Sequence, residues 1–380
     1  MDKFEIIAKT LFGFENVLAN ELKNIGAEDI RPLNRAVSYK GDNSILYKSN
    51  YLLRTALRII KPIMRFSVLN EKQLYERVKK MKWENYLSLN QTFAVDCVLN
   101  SEVFNHSQYI ALKTKDAIVD RFRNKVGSRP SVNTENPDIR INVHVSNTSI
   151  TISLDSSGNS LDKRGYKLSS AKAPLSEVLA AGIILLSEWD CESTFIDGMC
   201  GSGTIPIEAA LIARNIPAGS FRKFGFENWN DFDKDLWSKI KNDADELIKD
   251  YSKKIIAYDI NKFSIMSSKE NAVRAGVDDL ISFEKNNFFE TSYNSEKAII
   301  IMNPPYGERM DDEEEDMAVL YEKIGSHLKH SYNGCDAWIF SGNLDAIKLI
   351  GLKPSKKIKL FNGAIECKLH KYELYKGSKK

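Results

Sequence analysis

Three short stretches of this 380-residue chain combine residue types and spacing that could do chemistry. The first is Asp197-Gly198-Met199-Cys200-Gly201-Ser202-Gly203-Thr204, which follows an apolar run and opens a helical one. Glycines at such a turn let the backbone approach a ligand at the carboxyl end of a strand, where open α/β sheets bind ligands. A dinucleotide fingerprint would want a third glycine at position 206, but Pro206 stands there and suits a first helical turn. The alternative is a tight βα turn with no ligand. The second stretch ends on Asp259, after Ile255-Ile256-Ala257-Tyr258. A carboxylate at a second strand tip can accept from ribose hydroxyls, or it is a solvated loop Asp. The third is Asn303-Pro304-Pro305-Tyr306-Gly307, directly after Ile299-Ile300-Ile301-Met302. An exocyclic amine on a base is a poor nucleophile, because its lone pair is delocalised into the ring. The Asn303 side-chain oxygen and the Pro304 carbonyl could hold the amine hydrogens and aim the lone pair at an electrophilic methyl group. Pro304-Pro305 stiffens the turn, and Tyr306 could stack on a flipped-out base. The alternative is a rigid Pro-Pro turn after a buried strand.

The elements needed to position these residues are legible around them. From about residue 171 apolar strands (194–196, 255–258, 299–301, 338–340) alternate with helical segments (176–189 and onward from the Gly-rich turn to Arg214), which argues a parallel sheet covered on both faces. Asp197 and Asp259 are 62 positions apart, more than a minimal nucleotide unit, and an insertion over about 215–250 explains the excess. Asn362-Gly363 between alternating runs (356–361 and 365–374) predicts a closing hairpin. Upstream, residues 1–65 read as one small α/β unit, with a strand at 4–8, a helix over 14–24 and helical spacing over 45–60, where Leu52, Leu53, Ala56 and Leu57 face inward and Arg54 and Arg58 outward. Residues 66–155 read as a second unit, with a strand at 92–99, a helix over 107–126 and paired strands at 141–145 and 149–154. Asp155 to Ser160 opens a linker, placed at 156–170.

The three-part pattern resembles the class I methyltransferases that modify amino groups of nucleic acids. That resemblance implies S-adenosylmethionine as cofactor, with Asp197, Gly201 and Gly203 in the cofactor loop, Asp259 on the ribose, and Asn303, Pro304, Pro305 and Tyr306 as the catalytic motif. Asn303 also borders the cofactor. Asn287 stands where the family usually has an acidic residue near the adenine amine, and an Asn oxygen still accepts from that amine. Further segments narrow the resemblance: Leu161-Asp162-Lys163-Arg164-Gly165-Tyr166, Ala173-Pro174-Leu175, Asn303 to Met310, and His106 to Arg123. Together they resemble the bacterial THUMP-domain guanine-N2 methyltransferases of 23S ribosomal RNA. The resemblance implies a ferredoxin-like start at 1–65, a THUMP RNA-binding domain at 66–155, and a doubly wound class I methyltransferase sheet with a C-terminal antiparallel hairpin at 171–380. Its partner would be structured RNA, as 23S rRNA or a ribosome assembly intermediate. Some members carry a second methyltransferase domain, for which this chain ends too early. The rival readings are a transfer-RNA guanine-N2 methyltransferase, a DNA amino-methyltransferase, and an RNA-binding protein that has lost activity.

Bulk properties agree and exclude other classes. The composition, 43% hydrophobic and 28% charged, is that of an ordinary globular chain. No apolar run approaches the roughly 20 residues of a membrane span, and the N-terminus does not read as a signal peptide. Five cysteines without a CxxC pair read as reduced thiols in the cytoplasm. Through residue 170 there are 26 Lys and Arg against 18 Asp and Glu, and beyond it 28 against 33, so the first part is the nucleic-acid platform. No metal is expected: His327 and His330 lack Cys or carboxylate partners. Arg121, Arg123, Lys125 and Arg129 either face phosphates or form a solvated helix end. Trp229 and Trp237 read as a satellite core, and 311–316 as an acidic loop or lid.

Overall fold

A computed structural model describes residues 2–167, 175–293, 297–307 and 314–375, without the side chains of 314–316. Ala173-Pro174, Glu308 to Met310 and the acidic run at 311–316 therefore lie wholly or in their side chains outside the described residues. The chain divides into two compact units: Met1–Thr10, Leu18–Leu161 and Arg222–Asp243 in one, Leu11–Val17, Asp162–Phe221 and Ala244–Lys380 in the other.

The first unit is built on β1 (Phe4–Thr10), α1 (Glu15–Asn24, whose first turn belongs to the second unit), β2 (Glu28–Leu33), β3 (Ala36–Gly41), α2 (Asn43–Leu52), β4 (Ala56–Ser67), α3 (Glu71–Lys80), β5 (Thr92–Asn100), α4 (Ser107–Val126), β6 (Ser131–Val132), β7 (Ile139–Ser146) and β8 (Ser149–Asp155). The strands form one eight-stranded sheet in the order β2-β3-β1-β4-β8-β7-β5-β6. The two small α/β units read from the sequence share this sheet because β4, at 12 residues, is long enough for two partners. Its first half pairs with β1 (Ile60 with Ile7) and its second continues along β8 (Phe66 with Ile150).

The helical reading of 45–60 is corrected at its second half. The helix stops at Leu52, and Ala56 begins a strand. The β-branched pair Ile59-Ile60 favours extended backbone, and pairing on two edges outweighs the helical spacing. The arginines assigned to the outer face point inward as well. Arg54 is buried, and Arg58 pairs with buried Asp155 and donates to the Gly158 carbonyl at 2.9 Å. The Ser-rich tract after β8 is buried where it begins. Ser156 Oγ donates to the Ile59 carbonyl at 2.7 Å, and Ser157 Oγ donates to Asn50 Oδ1 at 2.7 Å and accepts from the Ile59 N–H at 2.8 Å. Residues 222–243, although they sit in the sequence of the second unit's sheet, complete the first unit's core. Phe226 stacks on Tyr47 at 4.3 Å, and Trp237 meets Tyr51 edge-on at 5.2 Å.

The second unit contains α5 (Glu177–Leu186), β9 (Thr194–Asp197), α6 (Thr204–Ala213), α7 (Lys234–Asp245, mostly in the first unit), β10 (Ile255–Asp259), α8 (Lys262–Arg274), β11 (Ile281–Lys285), β12 (Ala298–Met302), α9 (Glu314–Ser331), β13 (Asp336–Ser341), β14 (Lys356–Asn362) and β15 (Ile365–Glu373). The sheet order is β11-β10-β9-β12-β13-β15-β14. The first five strands are parallel, and β15 runs antiparallel to both β13 and β14. This is the doubly wound class I methyltransferase sheet with its C-terminal hairpin. Every residue of β9 and β12 is buried. Alternate residues enter two cores: Phe195, Ala257, Ile299 and Ile301 on one face, Ile196, Ile300 and Met302 on the other. Burial on both faces is why these strands read as continuous apolar runs.

Candidate active site

Because the five strands run the same way, their carboxyl ends share one edge, and the three motifs lie there. Asp197 ends β9 and aligns with Ala257 of β10, two residues before Asp259, while Ile196 aligns with Ile300 of β12, three residues before Asn303. Asp259 aligns with Lys285, two residues before Asn287.

The Gly-rich loop is fixed from several sides. Gly201 and Gly203 have φ of +53° and +81°, the left-handed region in which a side chain is strained. A Cβ on Gly203 would also lie 2.9 Å from Ser268 Cβ. Gly198 has a different reason to be glycine: a Cβ there would lie 2.4 Å from the Phe288 ring and 2.5 Å from Met302 Sδ. The loop is thus pressed directly onto the residue that precedes Asn303. Asp259 Oδ2 accepts from the Gly201 N–H at 2.9 Å and Oδ1 from the Asn261 N–H at 2.8 Å. Each oxygen keeps a second lone pair for a hydroxyl.

Ser268 and Asn271, buried on α8, carry no motif and were missed in the sequence. Ser268 Oγ donates to the Gly201 carbonyl at 2.7 Å and Asn271 Nδ2 to the Ser202 carbonyl at 3.0 Å. They act 67 and 69 positions away from their targets, so no local signal could mark them. Behind the loop, Glu208 on α6 is fully buried and accepts from the Tyr166 hydroxyl at 3.0 Å, with Arg164 Nε 3.6 Å away. Arg274 Nε donates to the Tyr166 carbonyl at 3.0 Å. The segment Arg164-Gly165-Tyr166 therefore straps α6 to α8.

Two buried acceptor atoms stand out. Asp197 Oδ1 accepts from the Met199 N–H at 3.1 Å, but Oδ2 is buried and has no partner among the described residues. Burial, and secondarily the charge of Asp259, pushes the Asp197 carboxyl up to about 8. Asn303 Oδ1 is likewise buried without a partner among the described residues. Buried polar atoms are nearly always paired, and exceptions point to a ligand or a catalytic role. Pro304 is buried and Pro305 exposed, with the Pro305 carbonyl accepting from the Tyr321 hydroxyl at 3.3 Å. Tyr306 is anchored by Asn362, whose Nδ2 donates to the phenol oxygen at 2.8 Å, and its ring lies 3.1 Å from where a Cβ on Gly342 would stand. Asn362 is a third residue missed in the sequence, which marks a turn there but no role at this site. Asn287 Oδ1 accepts from the Phe289 N–H at 3.1 Å, capping a short turn, so one of its lone pairs is committed locally.

Residues 164–371 match the family described as RMKL-like, methyltransferase domain. The chain belongs to this methyltransferase family. Residues 69–155 match the THUMP domain and 5–60 the RlmL ferredoxin-like domain. A Synechocystis protein, slr0064, that carries an RNA methyltransferase name is 37% identical over 96% of this chain and 95% of its own length. The ribosomal RNA large subunit methyltransferase K/L of Syntrophotalea carbinolica is 36% identical over 95% of this chain but only 52% of its own length, so the chain spans about half of that relative. SMU.472, described as a methyltransferase and solved complexed with SAH, superimposes over 100% of both chains with a TM-score of 0.89 and 31% identity.

His327 packs edge-on against Phe288 at 4.9 Å and near Tyr332, as part of a core. No group of three or more His, Cys, Asp or Glu among the described residues could hold a metal. No described helix is long and apolar enough to cross a membrane.

Proposed function

We propose that this chain transfers a methyl group from S-adenosylmethionine to the N2 amine of a guanine in large-subunit (23S) ribosomal RNA. The observation that carries the reading is the buried Oδ1 of Asn303 just past the tip of β12, which has no partner among the described residues, beside the loop that begins at Asp197, whose Oδ2 also has none among them. The residues suit the cofactor: a buried carboxyl at Asp197 for its cationic end, glycines at 201 and 203 where backbone must come close, Asp259 for ribose hydroxyls, and Asn287 near the adenine amine. SMU.472 binds SAH, the product left after S-adenosylmethionine gives up its methyl group. When bound, the sulfonium supplies an already electrophilic methyl group.

The chain's own residues do the rest. Asn303 Oδ1 and the Pro304 carbonyl accept from the two amine hydrogens and turn the nitrogen lone pair toward the methyl group. Tyr306, held by Asn362, presents its ring face to the target base. The amine loses its proton after attack, so no strong base is needed, and rate comes from proximity and orientation. The THUMP match and the ribosomal RNA names of the K/L relatives support an RNA substrate in the cytoplasm. The test is methyl transfer to 23S rRNA, ribosome assembly intermediates, transfer RNA and duplex DNA in parallel, followed by nucleoside mass spectrometry. N2-methylguanosine in 23S rRNA is expected. Methyl groups in transfer RNA, or on adenine in DNA, would replace this reading with a rival.

A further inference from the structure

The first unit holds an open cleft of about 420 Å³ between α3 and α4, lined by Glu76, Lys79, Lys80, Arg121, Asn124 and Lys125. Four of its six lining residues are cations. Its surroundings are basic too: residues 71–82 carry five Lys and Arg against two Glu, and 107–126 five against two Asp. Three of the lining cations are held in place by the fold. Trp83 is fully buried, and its Nε1 donates to the Val78 carbonyl at 2.8 Å. That contact fixes the next residue, Glu84, whose carboxylate accepts from Arg121 at 2.8 Å and pairs with Lys125. These two cations hold the Glu84 carboxyl down at about 2, so it stays ionised and keeps both in position. Across the cleft, the Tyr75 hydroxyl donates to Asp120 at 2.7 Å and accepts from Lys79 Nζ at 3.4 Å, tying α3 to α4.

We propose that this cleft is a phosphate-binding pocket that grips the backbone of the RNA substrate. Glu84 sits behind the cleft and balances one of two cations, and Glu76 is the one acid on its wall, so the cleft retains a positive excess that favours an anion. A wall with four cations, one amide and one carboxylate, and no aromatic ring, suits phosphate oxygens over base edges. The pocket therefore sets where RNA is held and carries no sequence preference. The proposal rests on the reading of the chain as an RNA methyltransferase and names where its substrate is held.

The experiment uses the full chain with Lys79→Gln and Lys80→Gln together. Both lie in the last turn of α3 with neither side chain in the core, so the fold should survive. A control carries Lys234→Gln and Lys239→Gln on α7. RNA affinity is measured against salt concentration for a structured 23S fragment and for one of scrambled sequence, together with methyl transfer and inorganic phosphate titration. The expected result is an affinity loss of about tenfold or more on both RNAs, a salt slope shallower by about 1–2, and an unchanged transfer rate at saturating RNA. The control should behave as the unaltered chain. Unchanged RNA affinity and slope in an enzyme that still methylates RNA would overturn the pocket and leave the function standing. The same holds if inorganic phosphate binds the pocket but RNA affinity ignores it. Loss of affinity in a chain that methylates no RNA would keep the pocket and overturn the function.

Discussion

The two sheets of this chain solve opposite problems. The first unit's sheet mixes parallel and antiparallel pairing and is partly open to solvent: β5 alternates exposed and half-buried residues along its second half, and β2 is largely exposed. Its titratable groups pair with one another: Glu84 with Arg121 and Lys125, Asp120 with Tyr75 and Arg123. The second unit's parallel strands are buried on both faces, and at their shared carboxyl edge Asp197 and Asn303 each keep a buried acceptor atom unpaired among the described residues. Paired charge fixes the side chains in place, and the positive excess left over at the Lys79, Lys80, Arg121 and Lys125 cleft suits reversible binding of a polyanion. Unsatisfied acceptors in a dry site suit holding a cation and an amine while a bond is exchanged. The comparison predicts that damage in one unit stays out of the other's readout.

The largest expected effect is on the first unit's core. Trp237→Ala should remove about 3–5 kcal/mol of stability, the usual result of deleting a buried aromatic side chain. Hydrogen exchange should localise the loss to residues around Tyr47 and Tyr51, while affinity for S-adenosylmethionine is retained. Weakened cofactor binding with an intact first unit would break the comparison. Next comes Asn303→Ala, which should lower single-turnover methyl transfer by about 10²–10³-fold, as for a lost transition-state hydrogen bond. Melting temperature, cofactor affinity and RNA affinity should hold, because Asn303 is at a strand tip and the proposed cofactor contacts fall mainly on Asp197, Gly201, Gly203 and Asp259. Near-normal turnover would sink the proposed mechanism. Asn303→Asp keeps an acceptor and should retain more activity than the alanine variant.

Asp259→Ala removes both the proposed ribose acceptor and the carboxylate that holds the Gly201 N–H, so calorimetry should show cofactor affinity weaker by about tenfold to a hundredfold. Unchanged affinity would take Asp259 out of the site. The smallest effect is on pH. The folded Asp197 carboxyl, at about 8, lies above its ordinary value of 3.8, so the empty folded state binds the extra proton between them. Its contribution to stability is therefore present in acid and declines as pH rises through about 8. A cationic cofactor favours the carboxylate and displaces that proton. Affinity should tighten from pH 6 to about 8, by at most about tenfold per pH unit, and then level off. Asp197→Asn should flatten this profile, and an equally steep one would assign the titration elsewhere.

The motifs were legible because each sits at the end of a continuous apolar run, which a strand buried on both faces must show. Asp197, Asp259 and Asn303 fall on one edge as those runs required. The closing hairpin at Asn362-Gly363 was equally readable from its turn residues, although nothing in it marked Asn362 as the partner of Tyr306. Ser268 and Asn271 stayed hidden for the same reason: a side chain that braces a loop across the fold leaves no local pattern. The helix over 45–60 failed at Ala56 because strand pairing on two edges, a tertiary effect, outweighed local spacing. Trp229 and Trp237 did read as core residues, but the sequence could not say whose core they fill.

That last point bears on how the chain is made. Tyr47 and Tyr51 leave the ribosome early in synthesis, yet Phe226 and Trp237, the rings that cover them, follow nearly two hundred positions later. Domains usually fold in the order they are synthesised. Here the amino-terminal unit must wait, its aromatic face uncovered, until the other unit's first strand and helix, β9 and α6, have been translated. A stalled nascent chain ending before residue 222 should therefore stay protease-sensitive around α2, and gain protection only once α7 has emerged.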